Sequence, residues 1–472
     1  MPGTSTGHHV QDYPWSGPPA IWISEWENPP EWGYQTANSV GGDGRFVAFY
    51  RIRRDGPERL LLHNVARDRN RLIARPPADY RRCYDCGKFP SDGGFRLPDF
   101  SLDGRYLVFA TDYRLVAGDR NRYADVYRYD IQTREYVLVS VGTDGRPGNS
   151  PSSAAAVSDD GRFVAFASGS SDFVEGDTNR ATDVFVRDLE AQTTTRVSVA
   201  SDGTQGDWSP DDADVRYVRG NSHTPDISGN GSLVSFVSIA DTLVEGDTND
   251  ANDVFVHDVR GHTTRRVSVT SSGEQLTPFE YCESASCFRD GAEEASISGN
   301  GEVVVFRSHA NGLVPEDENQ NVDIFTHELA TGLTERVSEP TGGGESYGPG
   351  THECGHNGQC FFFIYSYAAS ISYDADRVYF LTGAPRITHV DDGREAGDDT
   401  DMFVHDRSTK VTQLVNRKPD GSWAPAANVY PGQISADGNW AIYSSDGRGI
   451  APGDRRFGDV FLQELVDEAF GD

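Results

Sequence analysis

Short β-rich runs bounded by turn dipeptides follow one another along the chain, and helical periodicity is nearly absent. One stretch recurs almost literally: SDDGRFVAFASGSSDFVEGDTNRATDVFVRDL from Ser158, SGNGSLVSFVSIADTLVEGDTNDANDVFVHDV from Ser228 and SGNGEVVVFRSHANGLVPEDENQNVDIFTHEL from Ser298. Weaker copies start at Gly41, Ser101, Ser372 and Ser435, which makes seven units at intervals of 57 to 74 residues. Each unit predicts four short strands. The first ends at the anchoring Ser. An Asp-Gly or Asn-Gly turn with positive φ at both central residues then leads into a run such as Phe163-Val164-Ala165-Phe166. A loop, a DVFV-type strand and a Thr/Arg/Val strand such as Thr194-Thr195-Arg196-Val197 complete the unit. The sixth unit has Asp374-Ala375 at its turn, which predicts a different turn there.

Seven four-stranded units predict an all-β, seven-bladed propeller, in which radial repetition protects sheet edges. The seventh unit reaches only its third strand, at Asp459–Leu465, so its outer strand must come from elsewhere. Ala20-Ile21-Trp22-Ile23-Ser24 is an unassigned apolar run and is expected to pair there and close the ring. The predicted organisation is an N-terminal tail at 1–36 carrying that strand near 20–24, the propeller at 37–466, and a C-terminal tail at 467–472.

The ISxDGxxVAF…LVxGDTNxxxDVFVxD pattern resembles the TolB-like β-propeller family, a relative of WD-type repeats, from Gly41 to Leu465. The resemblance implies the fold. Its family includes a periplasmic partner of outer-membrane machinery, the gating propellers of prolyl-oligopeptidase-like enzymes and oligogalacturonate lyases, so it does not select an activity.

Composition and charge narrow the partners. With 36% apolar and 11% aromatic residues the chain can bury a large core, which excludes simple disorder. A formal charge of −31 repels phosphate and anionic lipid, so neither nucleic acid nor membrane insertion is expected. No apolar run is long enough to span a bilayer, and the first twenty residues lack the pattern of a secretory signal. The six cysteines nevertheless fall in close pairs, Cys83/Cys86, Cys282/Cys287 and Cys354/Cys360, each in a connection between units. Disulfide staples and an extracytoplasmic or secreted setting are the expectation, with a cytoplasmic one the alternative. His352 and His356 beside Cys354 and Cys360 leave a zinc reading open.

The strongest chemical signal is the spacing DxNxxxD between second and third strands: Asp119/Asn121/Asp125, Asp177/Asn179/Asp183, Asp247/Asn249/Asp253 and Asp317/Asn319/Asp323. Calcium favours oxygen ligands converging from such a loop, whereas Asx turns need the same residues for backbone hydrogen bonds. Both readings stand at this point. His63, His257, His327 and His405 recur on third strands, where alternation places them beside Phe and an acid between blades. Gly344-Glu345-Ser346-Tyr347-Gly348 has the spelling of a nucleophile elbow but lacks the helix that would follow one.

Two functional classes follow. The first is a non-enzymatic binding or assembly scaffold with calcium-braced loops, offering its stapled inserts to a protein or glycan partner. The second is a propeller lyase or hydrolase acting on a polysaccharide at the channel mouth. A chemically active group specific to one blade and facing the axis would favour the second; His309 and His389 are the non-repeated histidines.

Overall fold

The computed structural model describes residues 20–23, 33–53, 56–75, 98–206, 222–283, 286–310, 312–315, 317, 321–341, 353–354, 360–361, 366–383, 387, 400–418, 429–445, 450–451 and 459–465. Seven four-stranded antiparallel sheets account for the repeats. In the third blade, Ser152–Val157, Phe163–Ser168, Asp183–Asp188 and Thr193–Arg196 pair in that order from the axis outward. The others occupy 33–74, 99–138, 222–266, 292–336, 366–414 and 429–464. The first blade thus begins at Gly33, ahead of the predicted start.

The seventh blade is completed as expected. Ile21 and Trp22 pair with Leu462 and Phe461, and the Ile23 N–H donates to the Val460 carbonyl at 2.9 Å. The closing strand lies on a seam: Ile23 is buried among Val47 and Phe49 of the first blade and Ile442 and Leu462 of the seventh.

Strand alternation sends every second side chain into the gap between neighbouring blades. The apolar core is consequently divided into seven clusters, one per seam; Val254 and Val256 of the fourth blade, for example, pack on Val304 and Phe306 of the fifth. Within blades, aromatic rings on second and third strands stack, as in Phe236–Phe255 at 5.7 Å and Phe306–Phe325 at 5.8 Å.

The inner turns differ from the expected type. In Ser101-Leu102-Asp103-Gly104 the Gly104 N–H donates to the Ser101 carbonyl at 2.8 Å, and only the glycine has positive φ. This is a four-residue turn ended by a left-handed residue, not a turn with two left-handed centres. The anchoring hydroxyl fixes it, accepting from the Tyr106 N–H and donating to Asp103. The sixth unit makes the same turn after all, with Ala375 held at φ 68 in the glycine position.

Candidate active site

This turn aims its second residue at the propeller axis. Those seven residues are Gly42, Leu102, Asp159, Gly229, Gly299, Tyr373 and Ala436, and all line one cavity of about 290 Å³. Backbone bonds link six of the seven in an arc that leaves out Leu102: Asp159 N–H to Gly229 O, Gly229 N–H to Gly299 O, and Tyr373 N–H to Ala436 O, each at 2.8 Å. Asn300 N–H to Tyr373 O and Asp437 N–H to Gly42 O continue it.

Only Asp159 and Tyr373 of these seven carry ionisable side chains. Asp159 belongs to the third blade and Tyr373 to the sixth, yet the two side chains lie close enough for each to shift the other's titration. The intervening glycines permit this. A Cβ on Gly229 would stand 2.3 Å from the Asp159 carboxylate, and one on Gly299 would stand 2.1 Å from the Tyr373 ring. The pair therefore lies across two bare positions at the cavity's end. Burial raises the Asp159 carboxyl above its ordinary range, Tyr373 opposes that shift, and neighbouring Asp160 adds to it.

The other carboxylates of the cavity are Asp99, Asp226 and Glu294, and no Lys, Arg or His lines it among the described residues. Two of the three stitch blades together. Asp99 accepts from the Val157 N–H at 2.8 Å, and Asp226 accepts from the Ile297 N–H at 3.0 Å and the Ser296 hydroxyl at 2.6 Å. Glu294 sits at a bulge of the fifth blade's inner strand with φ 55, a backbone shared by Ala154 and Thr224 in preceding blades.

The sequence-predicted residues lie elsewhere. In the DxNxxxD loops the Asn side chains form Asx turns: Asn121 Oδ1 accepts from Tyr123 N–H at 2.9 Å and Asn179 Oδ1 from Ala181 N–H at 3.1 Å. Asn249 donates to Asp253 at 2.9 Å, and Asn319 lies outside the described residues. The carboxylates of three blades converge on an arginine from the fourth strand. Arg196 lies 3.2 and 3.5 Å from Asp177 and Asp183, Arg266 lies 2.9 and 3.2 Å from Asp247 and Asp253, and Arg336 lies 3.4 and 3.6 Å from Asp317 and Asp323. The positive charge held there is the protein's own. The expected calcium bracing is corrected for these three loops, whose carboxylates already face a guanidinium.

Three of the four repeated histidines bond threonines rather than acids, while His63 pairs through Nδ1 with Asn70 Oδ1 at 3.0 Å and lies 4.0 Å from Asp68. His257, His327 and His405 pair through Nδ1 with Thr264, Thr334 and Thr412 at 2.8 to 2.9 Å, and those threonines donate onward to carbonyls of the preceding blade or its connection. His309 is buried and stacked on Phe279 at 4.1 Å, which removes it from the axis. Cys282 stands opposite Cys287, and Cys354 opposite Cys360, in two antiparallel hairpins. Cys83, Cys86, His352, His356, His389 and residues 344–348 lie outside the described residues.

No family model and no curated protein matches this sequence. Among solved structures, an oligogalacturonate lyase in complex with manganese matches 97% of this chain and 96% of its own, at 13% identity and TM-score 0.51. An oligogalacturonate lyase from Vibrio parahaemolyticus matches 95% and 94%, at 11% identity and TM-score 0.49. TolB from Acinetobacter baumannii matches 90% and 81%, at 12% identity and TM-score 0.36. The expectation of a non-enzymatic scaffold, which rested on repeat regularity and the lack of an asymmetric catalytic set, is corrected here: an oligogalacturonate lyase is matched over nearly its whole length by this ring, and Asp159 and Tyr373 depart from the repeat at the axis. Among the described residues no three His, Cys, Asp or Glu side chains converge as metal ligands, and Asp99 and Asp226 spend their oxygens on neighbouring N–H and O–H groups, so the cavity does not fit a manganese centre. No described helix is long and apolar enough to cross a membrane. By fold, the chain is a seven-bladed propeller whose structural neighbours include TolB proteins and oligogalacturonate lyases.

Proposed function

We propose that this propeller is a glycan-acting enzyme whose proton chemistry is carried by Asp159 in the axial cavity. The observation behind this is the Asp159–Tyr373 pair, the two ionisable side chains of an otherwise inert ring, with Asp159 biased toward its protonated form. A carboxyl so biased serves as proton donor to a glycosidic oxygen. Tyr373 positions it, and Glu294 supplies a second carboxylate lining the same cavity. The substrate class follows from charge. Among the described residues, four carboxylates and no cation line the cavity, which favours a neutral oligosaccharide over a polyuronate and hydrolysis over elimination from a uronate. No step is routed through a metal.

The test is turnover of neutral oligosaccharides against oligogalacturonate. Asp159→Asn is expected to lower kcat by at least about 100-fold with an unchanged Tm. Tyr373→Phe removes the group that lowers the Asp159 pKa, so the alkaline limb of the rate profile moves to higher pH. Unchanged turnover in Asp159→Asn, or turnover of oligogalacturonate alone, would sink the reading. The in-register cysteine pairs support disulfide staples and an extracytoplasmic setting, checked by thiol counting on the unfolded, unreduced chain.

A further inference from the structure

The second blade breaks the arginine rule. Its loop carries the same carboxylates, Asp119 and Asp125, but Leu138 occupies the strand position filled by Arg196, Arg266 and Arg336 in the next three blades. In those blades the guanidinium approaches Oδ1 of the first aspartate and Oδ2 of the second. In the second blade those same atoms, Asp119 Oδ1 and Asp125 Oδ2, are buried with no hydrogen-bond partner among the described residues and, unlike Asp183 Oδ2 and Asp247 Oδ1, have no guanidinium within 4 Å.

The remaining oxygens are engaged by neutral donors. The Tyr127 hydroxyl, where the sibling blades have Phe185, Phe255 and Phe325, donates to Asp119 Oδ2 at 2.6 Å, and Ser140 donates to Asp125 Oδ1 at 2.6 Å. Asp119 is 6% exposed and Asp125 fully buried, while Arg114, Arg120 and Arg122 of the same loop are exposed to solvent. Two buried carboxylates without a cation are costly to fold around.

We propose that the Asp119–Asp125 loop of the second blade binds a hard metal cation in the place its siblings give to an arginine. The donors are carboxylate oxygens, which select calcium-like over soft metals, with water and loop carbonyls completing the shell. The sixth blade has Leu414 at this position too, but there Asn416 donates to Asp401 at 2.6 Å and the start of the loop lies outside the described residues. One blade of the four with the DxNxxxD spacing is therefore assigned.

The experiment is calorimetric titration of the chelator-treated chain with calcium chloride, alongside thermal melts with chelator and with excess calcium. One site per chain and a calcium-dependent rise in Tm are expected. Leu138→Arg supplies the sibling cation: it should raise the Tm in chelator and abolish the calcium response. Asp119→Asn should weaken calcium affinity at least about tenfold, and Asp159→Asn should leave it unchanged, which separates this site from the proposed active site. Absence of calcium binding by the native chain, or an unaltered response in Leu138→Arg, would overturn the assignment.

Discussion

A buried histidine in this protein is a fastening rather than a ligand. The Thr334 hydroxyl donates to the Val269 carbonyl and so accepts from His327 Nδ1–H, which fixes the tautomer and leaves Nε2 without a proton. Burial pushes His257, His327 and His405 down to about 4. A depressed histidine is neutral in both states above pH 6.5. As pH falls from there toward 4 the unfolded chain alone takes up the proton, so each histidine withdraws about 1.4 kcal/mol of stability per pH unit. Asp183 and Asp247, raised to about 6, act oppositely in part of that window. NMR should find these imidazoles neutral at pH 5.5, and His257→Gln should flatten the fall of Tm between pH 6.5 and 4. Alternation along DVFVHD put the histidine between blades correctly. Its partner was not readable, because Thr264 reaches it through strand pairing.

The loop between second and third strands is the element whose chemistry the repeat exposed and partly disguised. DxNxxxD is equally the spelling of a metal loop and of an Asx turn. What decides is the arginine thirteen residues past the second aspartate, visible in the recurring Thr/Arg/Val strand but assigned to it only by register. Arg266→Leu should cost about 3 kcal/mol near neutral pH, since it strands Asp247 and Asp253 in the interior. Arg162→Leu breaks a still shorter ion pair with Asp188, at 2.7 Å, but one in contact with water, and should cost far less. Chemical denaturation of both variants separates the cases, and equal costs would contradict the buried role. The inner turn teaches a similar lesson: Asp-Gly marked its place, while its backbone type was set by the anchoring Ser bonding across it.

At the scale of the molecule, blade number, blade order and ring closure were all legible, because each rests on a repeat unit and one missing strand. The axial cavity was not. The residue after each anchor, Gly41 or one of six serines, is Gly, Leu, Asp, Gly, Gly, Tyr or Ala, a departure from repetition plain in the alignment of units. Its meaning appears only when the turn aims that residue inward and two glycines let opposite blades meet. Closure itself is testable. Ile23→Ala should cost about 3 kcal/mol because it empties a site shared by first and seventh blades, whereas Ile21→Ala, on the exposed face, should cost under about 1 kcal/mol. Similar losses in both would mean that the seam is held by strand pairing rather than by packing.

The pairing of Ile21 with Leu462 also imposes an order of events during synthesis. The residues that fasten the circle are translated hundreds of codons before their partners, so an apolar strand must wait while six sheets are made beside it. Until Phe461 and Leu462 leave the ribosome, the growing chain is an open arc with an uncovered edge at each end. A pause or truncation late in the message would release that arc, sticky at both ends, rather than a slightly shortened wheel.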